Sequence, residues 1–423
     1  MKIRTKHKTY SQVMALPRPA HKRPYRPNMV LQTVIRVLSI LDLWPVRFQY
    51  EKHGMEKIGK KEPCLILMNH SCFLDLKIAS ALFYPKRYGI VSTYDTLVGK
   101  ALLMRMVGCF PTQKFVTDMN LIKDMEYLLK EKNTSVLMYP EAGYSFDGRT
   151  TVLPRKLGIL LKKLGVPVVT VITKGAFARD PLYNGLQLRK VKVTADVTCL
   201  ATAEEVKSKT VAELDALIDE AFSFDSFRWQ QENGVVVDEP FRADGLNRIL
   251  YRCPHCGAEG KAEGKGIHWH CQQCGKTYEL TETGFMKATD GETRFDHIPD
   301  WVDWQRAEVR RELEEGTYLL QTPVRIGMMV DHKALYMVGQ GVLRHDGEGF
   351  HLTGCDGQLD YKQSPLASHT LNADFFWYEI GDVICIGDRD AQYYCFPEQK
   401  DVAAKTRLAV EELYKMKKQR KKA

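Results

Sequence analysis

The segment Asn69-His70-Ser71-Cys72-Phe73-Leu74-Asp75 places an imidazole and a carboxylate five positions apart. A histidine paired with a carboxylate can act as a general base, because the carboxylate fixes its tautomer and stabilises the imidazolium formed when it takes a proton. On an ideal helix, positions five apart lie ~140° from each other, so the two side chains cannot meet if both are helical. The spacing works if His70 lies in a loop, with Ser71 as helix N-cap and Asp75 in or near the first turn. Such a pair needs no nucleophile from the protein, since the hydroxyl of a bound acceptor can fill the place that serine fills in hydrolases. Taken alone, a His and an Asp at this spacing recur by chance, and a lone histidine more often satisfies a core.

A second constellation is Cys253-Pro254-His255-Cys256-Gly257 with Cys271-Gln272-Gln273-Cys274-Gly275. Two C-x-x-C-G knuckles let four thiolates close a tetrahedron, so Cys253, Cys256, Cys271 and Cys274 are assigned to a structural zinc with no open coordination position. A redox pair would need only one knuckle beside a thioredoxin-like pattern, which is absent. Cys64 and Cys199 read as buried apolar residues. The first thirty residues are polar and lack the apolar stretch of a signal peptide, so the thiols are expected to be reduced, in a cytosolic setting.

The elements that must position these groups alternate. Apolar runs at Cys64–Met68, Val136–Tyr139 and Val166–Ile172 read as buried strands. Helical patterns cover Leu76–Tyr84, Thr117–Glu131 and Leu157–Leu164, which implies a mostly parallel sheet flanked by helices. His70 thus leaves the carboxyl end of a buried strand. Arg189–Thr198 alternates charge with valine as an edge strand would, and one helix over Ala203–Phe222 closes the unit near residue 232. The fold class is α/β, followed by a zinc ribbon at 250–280, a linker helix at 296–316 and a β-meander domain at 317–423. The last has strands near Leu335–Val338, Gly349–Thr353, Phe375–Ile380, Val383–Ile386 and Gln392–Phe396, and a final helix at Val402–Lys418. An antiparallel, barrel-like meander closed by one helix is similar in layout to pleckstrin-homology or GRAM domains.

Three further segments follow the histidine motif: Gly108-Cys109-Phe110-Pro111-Thr112-Gln113-Lys114, then Tyr139-Pro140-Glu141-Ala142-Gly143-Tyr144-Ser145, then Val166-Pro167-Val168-Val169-Thr170-Val171. Together with N-H-x-x-x-x-D, these four ordered blocks over residues 60 to 200 resemble the glycerolipid acyltransferase family, whose best-known member acylates lysophosphatidic acid. The sequence departs from the family at Lys114, where arginine is usual, and at Ala142, Gly143 and Tyr144, where Gly-Thr-Arg is usual. The resemblance implies His70 as general base toward a lipid hydroxyl, Asp75 as its orienter and Lys114 as a phosphate ligand. Glu141 either holds the acceptor or braces its loop, Ser145 matches the motif, and Asp147-Gly148-Arg149 and Arg155-Lys156-Leu157-Gly158 keep the family's charge spacing and could supply the missing cation. It implies an acyl-CoA or acyl carrier protein donor, a lysophospholipid acceptor, most naturally 1-acylglycerol-3-phosphate, and chemistry that needs no catalytic metal. Another lysolipid or glycerol 3-phosphate is the alternative acceptor. The apolar stretch 97–107 could line an acyl tunnel or pack as core.

Charge bears on where such a reaction would occur. Residues 1 to 41 hold nine Lys and Arg and no Asp or Glu, and a second basic cluster lies at Lys415–Lys422, while the whole chain carries +9. No window reaches the ~18 uninterrupted apolar residues of a spanning helix, which excludes a polytopic membrane protein. The helix Met29–Val46 is amphipathic, with Gln32, Arg36 and Ser39 on its polar side. Following a basic arm at 1–28, it is expected to lie on an anionic membrane at the cytoplasmic face, although an ordinary core-packed helix would carry the same pattern. Two competing functions remain open: a zinc-ribbon nucleic-acid binder, disfavoured by the mixture of Lys and Glu in 250–280, and a catalytically inert lipid sensor.

Overall fold

The protein is described by a computed structural model covering residues 2–113, 118–154 and 156–420. Its first strand, β1 (Thr5–His7), belongs to a distant unit and is taken up below. The first large sheet contains β2 (Gln49–His53), β3 (Leu65–Met68), β4 (Tyr88–Thr93), β5 (Cys109–Thr112), β6 (Ser135–Met138), β7 (Val168–Lys174) and β8 (Thr194–Ala201). Their order is β2-β8-β7-β3-β6-β4-β5, parallel throughout except between β7 and β8. Strand β3 sits at the centre because both its faces are apolar. Ile66 and Met68 pack with Leu43, Ile78 and Val171 on one side, and Leu65 and Leu67 with Leu161, Leu214 and Ile218 on the other. Alternating side chains of one strand thereby join two cores.

Two readings of the sequence are corrected here. Strand β8 is not the edge strand, because β2 pairs outside it with all five residues exposed. The single helix expected over Ala203–Phe222 is two, Ala203–Ser208 and Val211–Ala221. Thr210 starts the second with a capping box, its side chain accepting from Glu213 N while Glu213 returns to Thr210 N.

The helix Met29–Leu43 packs on the helix Asp75–Phe83, pinned by a 2.8 Å ion pair between Asp42 and Lys77. Its polar face is the inner one: Gln32 and Ser39 are buried, with Gln32 Nε2 donating to Tyr88 O. Val30, Val34, Val37, Leu38, Ile40, Leu41 and Trp44 face outward, Trp44 at 82% exposure.

The four ribbon strands β9 (Ala262–Lys265), β10 (His268–Cys271), β11 (Thr277–Leu280) and β12 (Met286–Ala288) form an antiparallel sheet reaching past residue 280. The linker helix spans Ile298–Glu315. The last unit holds β13 (Leu320–Met329), β14 (Leu335–Asp346), β15 (Gly349–Gly354), β16 (Leu359–Gln363), β17 (Asn372–Trp377), β18 (Gly381–Gly387) and β19 (Gln392–Pro397), in the order β16-β15-β14-β13-β19-β18-β17, with the helix Val402–Arg420 packed against it. Ribbon, linker helix and β domain share one continuous core, in which Trp269 meets Trp301 edge to face and Leu320 and Leu408 are buried.

The arm at 1–28 is no free tail. Strand β1 pairs in parallel with Leu335–Met337 of β14, and the helix Tyr10–Met14, capped by Thr9, buries Val13. The chain then crosses to the unit built on the first sheet, where Arg105 holds the carbonyl oxygens of Lys22 and Arg23, and Asn28 N donates to Met106 O. Gly108 (φ +112°) leaves room for this crossing, since a Cβ there would lie 2.7 Å from Pro27 Cγ.

Candidate active site

His70 leaves β3 in a loop at the carboxyl edge of the sheet, where parallel strands bring their ends together. The side chain of the preceding residue, Asn69, accepts from Thr173 N at 2.8 Å and donates to Thr173 O, which ties the loop to β7. Asp75 is the first residue of its helix, and the N-cap is Leu74, which makes no side-chain cap; Ser71 therefore does not cap it. Ser71 instead donates its backbone N–H to Asp75 Oδ2 at 2.9 Å, and Cys72 does so at 3.3 Å. The same oxygen meets His70 Nδ1 at 2.8 Å. Asp75 thus closes the turn and orients the ring together.

Asp75 is 1% exposed and the His70 side chain 21%. The imidazole lies between two tyrosine rings, Tyr139 at 4.1 Å and Tyr144 at 4.0 Å between centroids, each nearly parallel to it. Among the described residues Nε2 makes no hydrogen bond.

The remaining expected site residues are engaged with the protein itself. Glu141 is 2% exposed, and its two oxygens accept from His70 N at 3.0 Å and Thr151 N at 2.8 Å. Burial pushes its pKa up to about 7, against the lowering effect of those two amides. Ser145 N donates to His70 O and Ser145 Oγ to Arg149 O, both at 2.7 Å. Arg149 forks onto Asp147 at 2.6 Å and onto Asp303 of the linker helix at 2.8 Å. Glu141, Ser145 and Arg149, the expected substrate ligands, have these polar atoms engaged in bracing the loop 139–149 around His70, which for Glu141 is the second of the two roles its sequence offered. Lys114 and Arg155 lie outside the described residues.

Tyr139, Tyr144, Thr151 and Asp303 complete the surroundings of His70 without having been singled out as functional in the sequence. Tyr144 stands where the resembled family has arginine, and its ring explains the exchange locally, since it stacks on the imidazole and meets Phe73 edge on. Asp303 gives no such signal, being 154 positions from its partner.

The four ribbon cysteines gather their sulfurs within 4.8 Å of one another and could hold a metal ion. Cys253 and Cys274 lie 3.7 Å apart, Cys256 and Cys271 3.8 Å, too far for disulfides. Gly257 (φ +74°) and Gly275 (φ +77°) make the left-handed turns that close each knuckle.

Comparison with known proteins gives one family: residues 49–174, from β2 through β7 with His70, Asp75 and the loop 139–149 inside, match the Acyltransferase family model. Seven solved chains match. One is PlsC, the 1-acyl-sn-glycerophosphate (LPA) acyltransferase of Thermotoga maritima, with 16% identity over 45% of this chain and 78% of that one, at a TM-score of 0.34. No curated protein matches at a significant level. The family match is confined to residues 49–174, and the ribbon, linker helix and β domain lie outside it.

Proposed function

We propose that this chain transfers an acyl group from a thioester, acyl-CoA or an acyl carrier protein, to the hydroxyl of a lysophospholipid, working on an anionic membrane surface. The observation that carries the reading is the buried Asp75 carboxylate 2.8 Å from His70 Nδ1 at the sheet's carboxyl edge, inside the segment that matches the Acyltransferase model. With Nδ1–H donated to Asp75, Nε2 accepts the proton of the acceptor hydroxyl as its oxygen attacks the thioester carbonyl. The tetrahedral intermediate then breaks its C–S bond, and the departing sulfur takes the proton back from the imidazolium. The stacked tyrosine rings exclude water from one step to the next and keep the ring in plane. 1-Acylglycerol-3-phosphate is the acceptor that the motif resemblance implies.

The four thiolates suit zinc, because a tetrahedron with Zn–S of about 2.3 Å has edges of about 3.8 Å, near the observed sulfur separations. Such an ion would cross-link the two knuckles and leave no site for substrate. The β domain's sheet and terminal helix support a pleckstrin-homology-like or GRAM-like layout. Membrane attachment draws support from the outward apolar face of Met29–Leu43 and the basic residues around it.

The test is product mass spectrometry of purified protein with mixed acyl thioesters and several lysolipids. Acylated product is expected from the intact chain, falling about 10³-fold or more in His70→Ala. Equal rates in the two proteins would remove the enzyme reading.

A further inference from the structure

The His70 ring lies on a seam between two cores. Tyr139, on one face of it, packs with the core that holds Ile66, Met68 and Ile78. Tyr144, on the other face, packs with the core shared by the ribbon, the linker helix and the β domain. Past Tyr144 the loop belongs to that second core. Phe146 is buried in it, against Phe375 of β17 at 5.7 Å between centroids and with the Arg407 guanidinium of the final helix 4.9 Å from its ring. Arg149 closes the loop with a fork, Nη1 and Nη2 each donating to one oxygen of Asp303 at 2.8 Å, and Nη2 also reaches Pro299 O at 3.3 Å. Pro299, Asp303, Phe375 and Arg407 all lie beyond the residues 49–174 that match the family model.

The path from Asp303 to the histidine is short and unbroken. Arg149 O accepts from Ser145 Oγ at 2.7 Å, and Ser145 N donates to His70 O at 2.7 Å. Between Glu141 and Ser145 the loop has little support of its own. Ala142 sits in the left-handed region (φ +53°), and a side chain at Gly143 would meet nothing within 4 Å. The place of Tyr144 over the imidazole is therefore set from the far end of the loop, where Arg149 is tied down. Asp147, which also pairs with Arg149, belongs to the same loop and can only stiffen it. The fork onto Asp303 fixes the guanidinium to another element.

We propose that Asp303 is a positioning residue for acyl transfer: through Arg149 it holds the Tyr144 half of the loop against His70, which makes the linker helix, and the ribbon and β domain behind it, a working part of the site. This rests on the acyl-transfer reading and adds to it a dependence on the unit outside the matched segment. Asp303 touches no reacting atom. It acts on geometry, where a displacement of about 1 Å far from the chemistry can cost on the order of 10²-fold in rate.

The test compares the full chain with Asp303→Ala, Asp303→Asn and Asp303→Glu. Steady-state kinetics with a lysophospholipid and an acyl thioester are read beside the melting temperature and the backbone amide exchange of residues 139–151. The Asp303 side chain is 52% exposed, and pairs so placed add little to global stability, so the melting temperature should hold within about 2 °C. In Asp303→Ala kcat is expected to fall about tenfold or more with both KM values within about twofold. Asp303→Asn, which keeps one acceptor, should lose less, and Asp303→Glu, which keeps the carboxylate, should recover most of the loss. Exchange over 139–151 should accelerate about tenfold in Asp303→Ala and return toward the parent rate in Asp303→Glu. An unchanged kcat, a loss confined to KM, a loss that Asp303→Glu does not recover, or unaltered exchange would each overturn the assignment. So would a fall in melting temperature large enough to account for the lost activity, which would make Asp303 a residue of the fold alone. Exchange that accelerates as expected, in a chain that turns over no acceptor even with Asp303 intact, would leave the brace standing and sink the acyl-transfer reading.

Discussion

At the scale of single residues, Asp75 does two jobs with one oxygen, and that makes its replacement informative. Asp75→Asn keeps the size and, with its carbonyl oxygen in the place of Oδ2, the hydrogen bonds to that atom, but removes the charge that stabilises the imidazolium, so kcat is expected to fall about 10²- to 10⁴-fold. Thermal unfolding should move far less than activity, because the carbonyl of asparagine can still accept from Ser71 and Cys72. Steady-state kinetics beside a melting curve checks both. Glu141 gives a pH signature. Its folded pKa, about 7, lies above the ordinary value of 4.5, so the folded state binds the proton more tightly than the unfolded state. Its contribution to stability is therefore full below pH 4.5 and is lost as pH rises through about 7, by about 2–3 kcal/mol. Glu141→Gln leaves one of the two amides without an acceptor at every pH. The stability gap between parent and variant should narrow from pH 4.5 to 7.5 in denaturant titrations; a constant gap would show that the carboxyl titrates normally.

The elements differ in how much of themselves they disclosed. Strand β3 and the loop after it were legible because both signals are local: a short continuous apolar run, then a histidine whose spacing to Asp75 is feasible only off a helix. Strand β2 was not, since Gln-Tyr-Glu-Lys-His exposes every residue and has no alternation to detect. That omission made β8 look like an edge. The helix Met29–Leu43 shows the same limit differently: a period tells that a helix has two faces, and only its neighbours decide which turns inward. The anchor of Arg149 was not legible for a related reason, Asp303 lying on a helix that nothing in the loop's own sequence could announce. The ribbon was readable because its ligands come as spaced pairs. It shares its core with the linker helix through Trp269 and Trp301, so loss of the proposed zinc should not stay local. A strong chelator is expected to lower the melting temperature by about 5 °C or more and to redshift tryptophan emission, and metal analysis should return one zinc per chain.

At the scale of the whole molecule, the outward apolar face lies on a helix packed against the one that begins at Asp75, so the proposed membrane docking would be mechanically joined to the proposed chemistry. Leu41→Glu with Trp44→Glu puts charge on that face without touching the core, since these side chains are 72% and 82% exposed. Co-sedimentation with anionic vesicles should drop about tenfold while the melting temperature holds, and undiminished pelleting would move the attachment elsewhere. The course of the chain has a consequence of its own. Thr5–His7 are completed as a strand only by residues 335–337, and the intervening segments must exist before that closure can occur. During synthesis at about 5–20 residues per second, the opening strand waits on the order of tens of seconds for its mate. Until then the strand's partner residues 335–337 are still to be made, and the apolar helix beyond it emerges from a polypeptide not yet tied down at that end.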